Sequence, residues 1–251
     1  MNIFCLAILN SVPRHIRWRL VSLDKKIRKL SDFLARNTII KIGNLKFKAI
    51  DYQSIFVVSP LHESWIWNYL KAEIGHVFLD IGAHIGKYSL CMAKIVGEKG
   101  LVIAIEPHPR NYKALLNNIF INNIRNVHAV NIAGWNKDCE IEMFIAPVSG
   151  NHSLKLNYGK EKIIVKAKPL DEIIKEKKID RLDLVKIDVE GAELEVLQGL
   201  ENSLRQYHPH VVVETFEVNT TKVKEFMEKN DYSITVIPQS GFSRGYYLYC
   251  K

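Results

Sequence analysis

Cysteine is scarce here and is not arranged for structural work. Cys5, Cys91, Cys139 and Cys250 are scattered over 251 residues, with no C-x-x-C pair and no histidine at zinc-ligand spacing. That argues against a structural zinc or a disulfide framework and fits reduced thiols in a cytoplasmic enzyme. Long hydrophobic runs are missing too. The apolar start of "MNIFCLAILNSVPRHIRWRL" is too short to span a bilayer. Its positive charges follow the apolar run, whereas a secretory leader carries them before it. There is no internal repeat and no low-complexity stretch.

Acidic residues are nearly absent from one end. Residues 1–50 hold 11 Lys and Arg against Asp24 and Asp32, a net +9, which leaves −1 for the rest of a chain of +8. A preference for anionic partners therefore belongs to the N-terminal segment and not to the body. Ile16, Leu20, Leu23, Ile27, Leu30 and Leu34 are spaced 4-3-4-3-4, which predicts a helix over 13–37 with one apolar stripe and a basic face. Such a helix packs on the body or lies peripherally on a membrane surface.

What is present is a folding composition, 47% hydrophobic and 25% charged. That suits one sizeable α/β domain with a small extension. "TIIKIGNLKFKAI" predicts a hairpin about Gly43-Asn44, and "HESWIWNYLKAEIG" a helix ending at Gly75. From residue 76 strands and helices alternate. "HVFLDIG", "LVIAIEP", "VHAVNIAGW", "LDLVKIDVEG" and "HVVVETFE" read as strands. "KYSLCMAKIVG", "RNYKALLNNIFINN", "LDEIIKEKKI", "AELEVLQGLENSLRQY" and "TKVKEFMEKN" read as helices. This pattern predicts a mostly parallel sheet covered on both faces, with a terminal hairpin adding an antiparallel edge strand. The expected division is 1–75, a basic helix and hairpin extension, and 76–251, the main domain.

In "FLDIGAHIGKYS" a strand runs into Gly82, Gly86 and a helix. A dinucleotide loop would need glycine where His84 and Lys87 stand, and no Walker loop is present. Asp80 closes the strand, giving D-x-G-x-x-x-G. Glu106, 24 residues beyond Gly82, closes the next strand, where a carboxylate can accept hydrogen bonds from both ribose hydroxyls. His84 reads as a hydrogen-bonding spacer in the loop.

D-x-G-x-x-x-G resembles motif I of class I S-adenosylmethionine-dependent methyltransferases. With "VIAIEPHPRNYKALLNN", "PLDEII" and "LDLVKIDVEGAELEVLQGL" in order, the chain resembles the FkbM-type methyltransferases over about residues 76–204. His84 departs from the asparagine usual there. The resemblance implies a Rossmann-like, doubly wound seven-stranded sheet with an antiparallel last strand. It implies S-adenosylmethionine as cofactor, held by Asp80, Gly82, Ala83, His84, Gly86, Tyr88, Glu106 and Asn131. Trp135 is a weaker cofactor candidate that reads more readily as core. The implied reaction is O-methylation of a small-molecule, glycan or glycolipid hydroxyl.

A hydroxyl is a weak nucleophile and benefits from a group that takes its proton. "KIDVEG" offers Asp188 at the strand end and Glu190 at the same two-residue phase, before Gly191 turns the chain into a helix. Glu214 ends "HVVVE" as a second base or substrate contact. Glu193 reads as stabilising the helix start and Glu195 as surface. The trio Asp188, Glu190 and Glu214 could also hold a divalent cation, though nothing requires a metal. His62 and Glu63 could cap the pocket from the N-terminal side, though nothing in the sequence requires it. Two other readings stay open, an RNA ribose methyltransferase and a non-catalytic, membrane-associated cofactor-binding scaffold. Base N-methylation is disfavoured because "DVEG" stands where an N/D-P-P-Y/F/W motif would be.

Overall fold

Strands β3 (Val77–Ile81), β4 (Leu101–Ile105), β5 (Val127–Val130), β9 (Leu184–Ile187) and β10 (His210–Thr215) pair in parallel at the centre of a seven-stranded sheet. All five residues of β3 are buried, as expected of a strand covered on both faces. The sheet order is β11-β12-β10-β9-β3-β4-β5, where β11 is Ile234–Ile237 and β12 is Tyr246–Cys250. The computed structural model describes residues 31–36, 38–146, 149–155, 161–238 and 245–251. The predicted helix over 13–37 thus lies mostly outside the described residues, of which 31–35 are helical.

The last strand is antiparallel, but it does not sit at the edge. β12 lies between β10 and β11, antiparallel to both. Burial explains the order. Tyr247, Leu248 and Cys250 are fully buried, whereas Thr235 and Val236 of β11 are exposed, so the apolar strand goes inside and the half-polar one takes the edge.

Alternate strand residues feed two cores. Phe78, Val102, Ala104, Leu184 and Val212 face α2 (Lys87–Val96) and α3 (Pro109–Ile121). Leu79, Ile81, Ile103, Val185 and Val211 face α4 (Leu170–Glu176), α5 (Glu193–Gln198), α6 (Glu201–Tyr207) and α7 (Glu217–Lys229). The sheet is therefore doubly wound.

The N-terminal hairpin forms as predicted, from β1 (Ile39–Ile42) and β2 (Leu45–Lys48), and buries Ile40, Leu45 and Phe47 in the first of these cores. Asparagine side chains of α3 stand in for a third strand. Lys46 N donates to Asn122 Oδ1 and Lys48 N to Asn118 Oδ1, both at 2.8 Å, and Asn122 Nδ2 donates back to Lys46 O at 2.6 Å.

Three local expectations are corrected. The helix over 62–75 is only a 3-10 turn at Ser64–Asn68. Gly75 N bonds Val96 O across the fold instead of closing a helix. A short helix, α1 (Tyr52–Val57), appears before it, started by a capping box between Asp51 and Ser54. The helix predicted over 192–207 breaks into α5 and α6 at Gly199. A Cβ there would lie 1.8 Å from Trp135 O, so the adjoining loop occupies the groove that a continuous helix would fill. The Asp171 carboxylate then caps α6, accepting from Asn202 N and Ser203 N. Finally, "VHAVNIAGW" is not one strand. β5 ends at Val130, and β6 (Ala133–Gly134) joins β8 (Lys162–Lys168) and β7 (Cys139–Phe144) in a separate three-stranded sheet.

Candidate active site

The C-terminal ends of β3, β4, β9 and β10 share one rim, where open α/β sheets place their ligands. After β3 the chain crosses to β4, with Gly82 N and Ala83 N donating to Ile105 O at 2.9 and 3.0 Å. Gly82 has φ 83°, and a Cβ on it would lie 1.8 Å from Asp188 O. Only a glycine lets the loop pass this close to the end of β9. Gly86 then opens α2.

Glu106 ends β4 and is buried. Its Oε2 accepts from His84 N at 2.8 Å and its Oε1 from His108 N at 2.9 Å, with Asn111 Nδ2 at 3.4 Å. Burial pushes its pKa up to about 7, against the pull of those hydrogen bonds. Asp80 is fully buried, which raises its pKa despite the nearby Lys186 charge. Ser89 Oγ donates to Asp80 Oδ2 at 2.5 Å, while Oδ1 has no partner.

His84 does not point at the strand-end carboxylates. Its Nε2 meets Ser149 Oγ at 2.8 Å, and burial lowers its pKa to about 4, so the ring is neutral. Ser149 is a hub. Its N donates to Asp51 Oδ2 at 3.0 Å and its O accepts from Asn111 Nδ2 at 2.9 Å. The short turn Ser149–Asn151 is thereby tied to α1, to α3 and to the loop after β3. Asn131 is exposed and turns back onto the main chain, donating to Glu106 O and Pro107 O. Trp135 packs against the small three-stranded sheet, partly buried.

The second half of the rim is a packed charge cluster. Lys186 lies on β9 and is fully buried, with Nζ 3.0 Å from Asp188 Oδ2 and 4.6 Å from the Tyr88 ring centroid. Burial favours the neutral amine, but Asp188, Asp80 and Glu63 outweigh it and hold Lys186 charged well above its ordinary range. Glu214, one residue beyond the Val213–Ile187 pairing, hydrogen-bonds Asp188. Burial, and then the negative charges of Asp188, Glu63 and Glu190, raise its pKa far above normal and favour its protonated form.

Glu63 reaches the cluster from the 3-10 turn in a left-handed conformation, φ 53°. It accepts from Tyr88 Oη at 2.5 Å and Tyr247 Oη at 2.8 Å. Burial opposes its charge, but His62, Lys87 and Lys186 overcome that and keep it ionised. Lys87 donates to His62 O at 2.6 Å, and burial lowers its pKa to about 8 against the pull of Glu63.

The sequence-predicted acids separate into four groups. Asp188 and Glu214 come together. Glu190, at φ 52°, instead meets the Ser149 segment, with Asn151 Nδ2 3.4 Å from its Oε1 and Ser153 Oγ donating to its carbonyl. Glu193 accepts from Gly191 N at 2.6 Å and Asn219 Nδ2 at 3.1 Å, at the start of α5. Glu195 is mostly covered and pairs with Lys155 at 2.5 Å, rather than standing free at the surface. Among the described residues no group of three carboxylates, imidazoles or thiols has metal-holding geometry, and the cation on Asp188 is Lys186.

Sequence reasoning passed over Lys186, Tyr247, Asp51, Asn111 and Ser149. Only Lys186 had a local signal, a lone charge inside a strand predicted to be buried on both faces.

A central parallel sheet of this order, with acids closing its first two rim strands, defines the class I S-adenosylmethionine-dependent methyltransferases. Within that class the match is specific: the family described as the methyltransferase FkbM domain covers residues 80–234, and the chain belongs to it. Among relatives, methyltransferase sdnD of Sordaria araneosa is 26% identical over 232 residues, 78% of this chain and 89% of that protein. Hexuronic acid methyltransferase AglP of Haloferax volcanii is 26% identical over 206 residues, 77% of this chain and 83% of its own. An FkbM methyltransferase crystal structure from Methylobacillus flagellatus superposes with TM-score 0.56 at 18% identity, over 72% of this chain. This chain spans 45% of that one. Aeropyrum pernix fibrillarin with S-adenosylmethionine bound shares the fold at TM-score 0.50 and 13% identity, over 75% and 73% of the two chains.

The residues present fit that cofactor. Glu106 Oε2 takes one backbone donor and keeps a lone pair for a ribose hydroxyl, and Oε1 has one short backbone donor and a long contact from Asn111 that a second hydroxyl could replace. Asp80 Oδ1 is a buried acceptor without a partner, and the glycine at 82 keeps the loop clear of a Cβ.

Proposed function

We propose that the protein O-methylates a hydroxyl of a glycan, glycolipid or small natural product, with Asp188 as the proton acceptor. The observation that carries this reading is the Asp188–Glu214 pair at the ends of adjacent strands. Glu214 hydrogen-bonds the Asp188 carboxyl, whose Oδ2 also lies 3.0 Å from the Lys186 ammonium, so Asp188 is held from both sides. Bound at the rim, S-adenosylmethionine supplies a methyl group already activated by its sulfonium. Asp80, Gly82, Ala83, His84, Gly86, Tyr88, Glu106 and Asn131 form the set proposed to hold it. Glu106 would take the ribose hydroxyls, while His84 and Asn131 would keep the loop in shape rather than touch the ligand.

The remaining work falls to this chain's own side chains. Methyl transfer needs the acceptor oxygen held in line, and a rigid rim supplies that orientation. As the acceptor oxygen forms its new bond, its proton passes to Asp188. Lys186 and Glu214 position that carboxylate without competing for the acceptor proton, because both already carry their own. Glu190 is turned toward Asn151 and serves the rim as a second wall.

The test has two stages. Calorimetry should show S-adenosylmethionine binding that is lost in Glu106→Ala. A screen of glycan, lipid-linked and small-molecule hydroxyls with labelled cofactor then identifies the acceptor. On that acceptor Asp188→Asn should retain cofactor binding and lose most of kcat. Undiminished turnover by Asp188→Asn would remove it from the role.

A further inference from the structure

We propose that the outer face of the N-terminal hairpin is a docking surface for anionic phospholipid bilayers. Antiparallel register places Ile39 opposite Lys48 and Lys41 opposite Lys46, and directly paired residues point to the same side. One face of the ribbon therefore carries Ile40, Ile42, Leu45 and Phe47 into the core. The other carries Ile39, Lys41, Lys46 and Lys48. Lys41 and Lys46 are exposed, and none of the three lysines forms an ion pair among the described residues.

Apolar side chains border these charges. Phe33 is 70% exposed, Leu34 62% and Ile39 56%. Thr38 Oγ1 donates to Leu34 O at 3.1 Å and Ala49 N to Thr38 O at 2.9 Å, so the end of the 31–35 helix is fastened to the hairpin. On the helix that anchors β2, Phe120 is 78% exposed between the two asparagines that hold the strand.

The charge pattern names the partner. The first 50 residues hold a net +9 while the rest of the chain is close to neutral, so attraction to an anionic surface acts through this end. Lysines interspersed with exposed aromatic and aliphatic groups match a lipid interface, which takes charge at the headgroups and apolar groups just beneath. A nucleic-acid backbone would use the lysines and leave Leu34 and Ile39 in water. The ribbon is held rigidly by Asn118 and Asn122, so it presents the lysines as a fixed set rather than as a loose tail. Docking here is independent of which acceptor is methylated.

The experiment is co-sedimentation of the full chain with vesicles of phosphatidylcholine alone and with added phosphatidylglycerol. Binding should require the anionic lipid and weaken as salt rises. The triple variant Lys41→Glu, Lys46→Glu, Lys48→Glu should bind at least about tenfold more weakly, with S-adenosylmethionine binding unchanged. Unchanged vesicle affinity in the triple variant overturns the proposal. So does salt-sensitive binding to single-stranded RNA with none to either vesicle. If the triple variant does not fold, Ile39→Asp carries the test, because that side chain is already in water. Retention of full vesicle affinity by Ile39→Asp overturns the proposal as well.

Discussion

Replacing Gly82 by alanine tests the geometry of the rim directly. The added methyl would sit 1.8 Å from Asp188 O and 2.9 Å from its carbonyl carbon. A carbon–oxygen contact relaxes only at about 3.3 Å, so loop and strand end must part by about 1.5 Å. The strand cannot slide freely, since Asp188 N is bonded to Ile81 O at 3.0 Å. Loss of that bond costs roughly 1 kcal/mol. Holding an alanine at φ 83° costs about 1–2 kcal/mol more. The expected loss is ~2–4 kcal/mol of stability, a fall of roughly 5–15 °C in Tm for a chain of this size. A displacement of about 1 Å at Asp188 would also lower turnover on the order of a hundredfold. Thermal melting and calorimetric titration with S-adenosylmethionine read both effects. Gly43→Ala is the control, because Gly43 shares a positive φ but a Cβ added to it would meet nothing within 4 Å. It should cost only the backbone strain and leave cofactor binding intact. If Gly82→Ala melts and binds like the wild type, the close approach of the two segments is refuted.

Further outcomes follow from the buried charges. Burial holds Glu106 near pKa 7 against an ordinary 4.5, so the folded chain keeps a proton that the unfolded chain has released. Stability from this group therefore falls as pH rises from about 4.5 to about 7, by roughly 3 kcal/mol in all, and Glu106→Gln should remove that slope in denaturant titrations. Ribose hydroxyls donate to the ionised form, so cofactor affinity should strengthen from about pH 6 to about pH 8 in the wild type and stay flat in Glu106→Gln. Glu63→Ala leaves the Tyr88 and Tyr247 hydroxyls without their acceptor and should cost ~2–4 kcal/mol in urea unfolding, with Glu63→Gln costing less. Lys186→Met strips Asp188 and Asp80 of their cation and should lose ~3–5 kcal/mol at neutral pH. That loss should shrink in acid, where the carboxyls take up protons; an equal loss at both pH values would count against the pairing.

Much of the sheet was legible because its signals are local. The alternation of apolar strands with helices pointed to the doubly wound architecture, and an acid closing "FLDIG" and "VIAIE" marked the rim. Glu193 was readable for the same reason, since its partner Gly191 N is two residues away. What failed was decided by distant packing. The helix over 62–75 never forms, because Glu63 has to adopt a left-handed turn to reach Tyr88 and Tyr247. The break at Gly199 depends on Trp135, 64 residues earlier in the chain. β12 sits inside the sheet because its neighbours on both sides are chosen by burial, which pairwise spacing does not encode. Within the site, the pairing of Asp188 with Glu214 follows from strand adjacency, but the fixing of both by Lys186 and Glu63 joins segments far apart in sequence.

The charge cluster behind the rim has a kinetic signature. Asp80, Asp188 and Glu63 all act on the same buried ammonium of Lys186, and Asp188 and Glu63 in turn raise the proton affinity of Glu214. Groups coupled this tightly release protons in collective steps. A break in a plot of turnover against pH would then belong to the ensemble and not to one residue. Removing a single acid should take out one proton and shift the remaining breaks together, so the number of inflections would report how many protons the cluster shares.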